Sequence, residues 1–268
     1  MSEGAARAGV LLTVRYDGGR FSGFARQPDR RTVAGELDGA VRAVDPRASL
    51  VRGASRTDAG VHALAHPVAF DATHPIPPRG WALALSRHLG ADLSVVSAAR
   101  VTTGYDPRSH VRNKTYRYLV HRSELRDPFL AGRAWRIGGS LDVGALSEEL
   151  SHVVGRHDFR AFRTASDPRV DTVRTMLHAE ARVASSDLPL LAIEITGDRF
   201  LHRMVRIIVG AVVDVGLGRL APGAVRRAID GGDRRLLGTT APADGLYLVR
   251  SELDDPGQDN WPDQSTSR

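Results

Sequence analysis

The sequence predicts an α+β protein of two similar halves, each with mostly antiparallel β-sheet flanked by helices. Two observations carry this. Short β-rich runs bounded by Gly, Asp and Ser turns alternate with segments whose apolar residues recur at helical spacing. The order of strands and helices met in roughly the first hundred residues is met again in the rest, as a repeat of elements and not of identical sequence.

The first half opens with a β-rich run at 10–16, ended by Asp17-Gly18-Gly19. Thr32 has the side chain to cap a helix over Val33–Val44, where Leu37, Val41 and Val44 share a face. A short strand is expected at 49–52, then a glycine-containing loop, a strand at 67–70, a helix at 81–89 and a strand at 94–101. In the second half, 115–120 predicts a strand with Tyr116 and Tyr118 on one face and Thr115, Arg117 and Leu119 on the other. A helix follows at 143–154, and two strands at Val173–Val183 and 190–196 join through a turn at Ser185-Ser186-Asp187. A strongly apolar helix at 200–215 and a strand at 246–249 complete the set. The domain plan is a flexible segment 1–9, halves 10–108 and 109–253, and a polar, proline-containing disordered tail 254–268.

Composition narrows the function. The 268 residues are 42% hydrophobic and 25% charged, as in ordinary globular proteins. No run of about 18 apolar residues suits a membrane-spanning helix, and 1–9 lacks the apolar core of a signal peptide. With no cysteine, disulfides, thiolate-bound zinc and a cysteine nucleophile are excluded. Lys+Arg number 37 against 31 Asp+Glu, a balance of +6, and every basic residue except Lys114 is arginine. Arginine makes planar, bidentate contacts with phosphate and stacks on bases, which suits a polyanion partner. A G+C-rich genome produces the same composition, so charge alone leaves both origins open.

The densest chemistry lies in Ser55-Arg56-Thr57-Asp58-Ala59-Gly60-Val61-His62. Gly60 permits a tight turn, and a carboxylate held in such a loop acts as nucleophile or general base while an arginine keeps it ionised. A surface ion pair beside a turn is the plainer alternative. On the helix at 200–215, apolar side chains cover most of the circumference and leave a narrow window holding His202, Arg203, Arg206, Gly210 and Asp214. An arginine in that window is expected to meet a buried anion, with Asp214 as one alternative partner. His62 and His66 stand four apart, but a glycine turn before them and Pro67 after them disfavour a helix, so no metal site is expected. Gly216-Leu217-Gly218 is too short for a dinucleotide loop.

The stretch Arg56-Thr57-Asp58-Ala59-Gly60-Val61-His62 resembles the signature loop of the TruA family of tRNA pseudouridine synthases. Further segments resemble the family in order: Tyr16-Asp17-Gly18 with Phe21-Ser22-Gly23-Phe24, Lys114-Thr115-Tyr116-Arg117-Tyr118, and Asp158-Phe159-Arg160-Ala161-Phe162-Arg163. The helix segment from Phe200 to Arg206 with Gly210, and Gly245-Leu246-Tyr247-Leu248, complete the series. The sequence departs from the family where Gly-Trp-Gln becomes Gly23-Phe24-Ala25, and where Ser55 replaces a glycine.

The resemblance implies the pseudouridine synthase fold with a central basic cleft, and a cytoplasmic homodimer whose partner is tRNA. It implies conversion of uridine to pseudouridine at positions 38, 39 and 40 of the anticodon stem–loop, with no cofactor. Asp58 matches the essential aspartate, acting either as nucleophile or by abstracting the ribose 2′ proton. Arg56 matches the arginine that fills the space of the flipped nucleotide; a plain phosphate contact is its alternative. Tyr116 matches the tyrosine that stacks on the target base, with a core tyrosine as the alternative. Arg206 matches the arginine paired with the aspartate, and Leu246 an apolar residue closing the base pocket. Arg26, Arg30, Arg31, Arg112 and Lys114 are candidates for RNA backbone contacts. Two rivals start from the same residues. A non-catalytic tRNA-binding protein is opposed by the joint presence of Asp58, Tyr116 and Arg206. An aspartate-dependent hydrolase of small molecules predicts turnover without RNA.

Overall fold

A computed structural model of the chain describes residues 8–185 and 187–254. These fall into two compact units, one running to Arg112 and resuming at Ser251, the other spanning Asn113–Arg250. Both are α+β.

In the first unit, β1 (Ala8–Tyr16) leads to α1 (Val33–Val44), β2 (Arg52–Gly53), β3 (His62–Ala72), α2 (Pro78–Ser86) and β4 (Leu93–Val101). β1 pairs antiparallel with both β3 and β4, and β2 pairs antiparallel with β3. Thr32 caps α1 as expected, its hydroxyl accepting from the Gly35 amide at 3.2 Å. The buried faces of β1 and α1, Leu12, Val14, Leu37 and Val41, join Phe70 and Trp81, whose rings meet edge to face at 5.0 Å. β3 begins five residues earlier than expected. Pro67 stands inside it opposite Thr13, losing only its own amide bond, while its carbonyl accepts from Ala54 N at 3.0 Å. α2 is displaced towards the N-terminus of the expected 81–89, because Pro78 supplies a preset first helical residue.

The second unit carries most of β5 (Val111–Arg122), then β6 (Trp135–Ile137), α3 (Val143–Ser151), β7 (Gly155–Asp158), β8 (Val173–Val183), β9 (Leu190–Gly197), α4 (Met204–Gly216), α5 (Ala224–Gly231) and the start of β10 (Leu246–Leu253). Its sheet order is β10-β5-β9-β8-β7, with β6 parallel to the end of β5. In each unit the first strand lies between the last strand and a strand that follows the first helix, which is the internal repeat the sequence suggests.

Elements of the second unit also depart from expectation. α4 starts at Met204 and not at 200, because Arg203 takes a left-handed conformation with φ of 60°. α3 stops at Ser151, three residues short. α5 has no counterpart in the sequence reading; its N-terminal amides, Gly223 N and Val225 N, both bind the buried Glu149 carboxylate of α3. Of the expected flexible segment 1–9, Ala8 and Gly9 lie in β1, and the rest is outside the described residues. Of the expected tail only Asp254 is described, its amide donating to His110 O at 2.8 Å. Ser186 of the expected turn is likewise outside the described residues, which include no helix long and apolar enough to cross a membrane.

Candidate active site

In the first unit Asp58 stands half-buried on the loop between β2 and β3, with Arg56 exposed two residues before it. The loop turns through Gly60, whose φ is +83°, and closes with Val61 N donating to Asp58 O at 3.2 Å. Two of its residues, Ser55 and Thr57, are tied to the core. The Phe24 amide donates to Thr57 O at 3.0 Å, and the Ser55 amide donates to His66 Nε2 at 3.1 Å. The Tyr16 hydroxyl lies 2.8 Å from Thr57 Oγ1 and 3.1 Å from His66 Nδ1. Tyr16, Thr57 and His66 are all buried.

Phe24, which stands where the family has tryptophan, is buried: its ring lies 4.5 Å from the His66 ring and also packs over Gly53. His62 Nδ1 accepts from the Gly18 amide at 3.1 Å. The two histidines singled out for their spacing therefore bind the loop and its neighbours.

The second unit places Tyr116 on β5, Arg206 on α4 and Leu246 at the start of β10. Tyr116 is paired with Ile195 in register and meets Phe200 edge to face at 5.0 Å. Tyr118, on the same strand face, is fully buried, and its hydroxyl donates to Pro242 O at 2.8 Å. Burial pushes its phenol well above the ordinary tyrosine value, so it remains a donor. Arg206 Nε donates to Ala241 O at 2.8 Å, while the Ala241 amide donates back to Arg206 O at 3.0 Å. The Leu246 amide donates to Ala243 O at 2.9 Å. Arg206, Tyr118 and Leu246 thus converge on the short segment 241–246. Asp214, one alternative partner for Arg206, instead accepts from Thr239 N at 2.8 Å and lies 3.5 Å from Arg219.

The stretch before α4 is strapped by the loop at 163–169. Asp167 Oδ2 accepts from the His202 amide at 2.8 Å, and Thr164 Oγ1 lies 2.8 Å from His202 Nδ1. Burial alone would raise Asp167. The amides of His202 and Arg169 and the nearby Arg169 charge outweigh it and hold the carboxyl below its ordinary range. Phe159 and Phe162 anchor this loop in the core at 5.4 Å from each other.

The basic candidates differ in what they already hold. Arg26 pairs with the buried Asp38, and Arg112 with Asp254. Arg31 makes two bonds to Asp92, at 2.6 and 2.9 Å, and lies 4.3 Å over the Phe21 ring. The Asp92 hydrogen bond raises the Arg31 guanidinium, and Arg31 in turn holds Asp92 below the carboxylate range. Arg30 is exposed and Lys114 half-buried. Tyr16, Thr57 and Ala241 were not among the sequence's site residues; Tyr16 and Thr57 left a signal, their places in the Tyr16-Asp17-Gly18 motif and in the stretch from Arg56 to His62.

A family model described as tRNA pseudouridine synthase matches residues 150–254. A tRNA pseudouridine synthase A of Geobacter sulfurreducens is 35% identical over 241 residues, covering 90% of this chain and 98% of that protein. The tRNA pseudouridine synthase A of Geobacillus kaustophilus is 38% identical over 92% of this chain and 95% of its own length. That of Caldicellulosiruptor bescii is 34% identical over 90% and 97%. These relatives place the chain in the pseudouridine synthase class of isomerases. The chain belongs to the tRNA pseudouridine synthase A family.

Proposed function

We propose that this chain isomerises uridine to pseudouridine in tRNA, at positions 38, 39 and 40 of the anticodon stem–loop, with Asp58 as its catalytic carboxylate. The net change breaks the bond from ribose C1′ to uracil N1, forms one from C1′ to C5, and moves a proton from C5 to N1. Nothing is oxidised or reduced, so the reaction calls for no redox cofactor. The observation that carries the reading is the loop 55–61, in which a half-buried carboxylate is flanked on its N-terminal side by residues tied to a buried tyrosine and histidine. Such restraint suits a group that must meet a reacting atom in one geometry.

Arg56, exposed on the same loop, takes the place vacated when the target nucleotide leaves the stack, a step costing roughly a few kcal/mol. Tyr116 stacks on the uracil, Leu246 packs against it, and Arg206 supports the site through a guanidinium held at Nε. Arg26, Arg30, Arg31, Arg112 and Lys114 contact the RNA backbone, in a cytoplasmic homodimer. The test is pseudouridine mapping on an unmodified tRNA transcript incubated with the purified chain. Product at 38–40 supports the reading. Product elsewhere in tRNA overturns the positions, and no product overturns the activity.

A further inference from the structure

We infer that the buried pair Tyr16 and His66 is the positioning device of the Asp58 loop, acting through the Thr57 hydroxyl and the Ser55 amide. This rests on the reading of Asp58 as the catalytic carboxylate. The chain of contacts is continuous. Ser55 N donates to His66 Nε2 at 3.1 Å, His66 Nδ1 lies 3.1 Å from Tyr16 Oη, and Tyr16 Oη lies 2.8 Å from Thr57 Oγ1.

The polarity of that chain follows from its first bond. A ring nitrogen that accepts from an amide carries no proton, so the imidazole proton sits on Nδ1 and points at Tyr16 Oη. The phenol oxygen accepts it, which leaves the phenol hydrogen for Thr57 Oγ1. The three bonds then run in one direction along side chains that are 0%, 3% and 7% exposed for His66, Tyr16 and Thr57. In so dry a place the bonds are stiff, and breaking one strands a buried polar group.

The geometry explains why the loop needs this row. Thr57 immediately precedes Asp58. Its carbonyl is held by the Phe24 amide and its hydroxyl by Tyr16, so both its backbone and its χ1 are set. That sets the direction in which the Asp58 side chain leaves the backbone. β1 and β3 supply the two anchors at an irregularity in their pairing. Val14 faces His66, but Tyr16 faces Ala63, one residue out of register, and such a bulge re-aims the side chains beside it. No group in the row is asked to touch substrate; Tyr16 and His66 are positioning residues.

The experiment compares Tyr16→Phe, Thr57→Val and their double variant with the parent chain, using the full-length protein and an unmodified tRNA transcript. The reaction is run well below each variant's Tm. Each single variant is expected to lose about ten- to a hundredfold in kcat with KM for tRNA within twofold, the scale set by small misplacements of reacting groups. The double variant is expected to be no slower than Tyr16→Phe alone, because that change already removes the bond that Thr57→Val removes. Thr57→Ser, which restores the hydroxyl, is expected to recover most of the rate. Unchanged kcat in both singles, a change confined to KM, or additive losses overturns the positioning role while the parent's activity leaves the functional reading standing. An inactive parent overturns the functional reading, and this inference with it.

Discussion

Arg206 and Ala241 bind each other in both directions: the guanidinium Nε donates to the Ala241 carbonyl at 2.8 Å, and the Ala241 amide donates to the Arg206 carbonyl at 3.0 Å. A helix side chain and a loop backbone are thereby locked together, and the plane of the guanidinium is set by a bond that only Nε can make. Lysine has no equivalent of that donor. Arg206→Lys is therefore expected to keep the charge but lose the orientation, with kcat down at least tenfold. Arg206→Ala is expected to lose activity and about 1.5–3 kcal/mol of stability, the worth of a hydrogen bond involving a charged group. Steady-state kinetics and urea unfolding of both variants check this; parent-like values in both would remove the role.

Asp58→Asn keeps the size of the side chain and removes its charge. The variant is expected to bind tRNA as tightly as the parent and to form no pseudouridine, read by filter binding and by mapping of the product. Substantial turnover by the purified variant would end the assignment of Asp58.

Gly210 packs so closely on the segment at 239–241, whose Thr239 amide binds Asp214, that a Cβ there would overlap the Thr239 carbonyl oxygen. Backbone cannot swing aside as a side chain can, so Gly210→Ala must push α4 and the 239–241 segment apart. We expect a loss of about 1–3 kcal/mol, the usual cost of overpacking, together with lower activity, because Arg206 holds the same segment. The midpoint of urea unfolding measures it.

Asp45 ends α1 fully buried, accepting from Thr73 N at 2.5 Å, Thr73 Oγ1 at 2.6 Å and His74 N at 3.0 Å. Burial would raise its pKa, but these bonds outweigh it and hold the carboxyl below 3.8. A group depressed on folding stabilises the fold above its unfolded pKa and loses that contribution as pH falls through the folded value. Stability is expected to decline as pH drops below about 4, and Asp45→Asn is expected to lower stability at pH 7 while flattening that decline. Unfolding curves at pH 7 and pH 3 test the sign: an equally steep decline in the variant would exclude Asp45 as a source.

The proposed RNA contacts should be unequal. Arg30 and Arg31 are adjacent and both exposed, but Arg31 is already bound to Asp92 and stacked on Phe21. Arg30→Gln is expected to lower the slope of log binding constant against log salt by about 1, the signature of one lost phosphate contact. Arg31→Gln is expected to act mainly on Tm. Equal slopes for Arg30→Gln and the parent would remove Arg30 from the interface.

The sequence by itself determined the elements whose causes are local. Thr32 and the Leu37, Val41, Val44 spacing specify α1, and the run at Val173–Val183 specifies β8 to its ends, because capping and alternation act within a few residues. It also singled out the loop proposed to carry the catalytic carboxylate, since a short row of small residues around Arg56 and Asp58 is a pattern of adjacent letters. Only the tertiary structure decided what lies at long sequence separation. α5 owes its N-terminal bonds to Glu149, some seventy residues earlier. The apolar periodicity runs back to Phe200, yet the helix begins at Met204, where Asp167 and Arg169 hold the preceding backbone. Tyr16 and His66 read as a strand residue and half of a metal-like spacing; they became neighbours of Thr57 only when β1 paired with β3. Periodicity reports which face of an element is buried, whereas a hydrogen-bonded row depends on which elements meet, and no local pattern carries that.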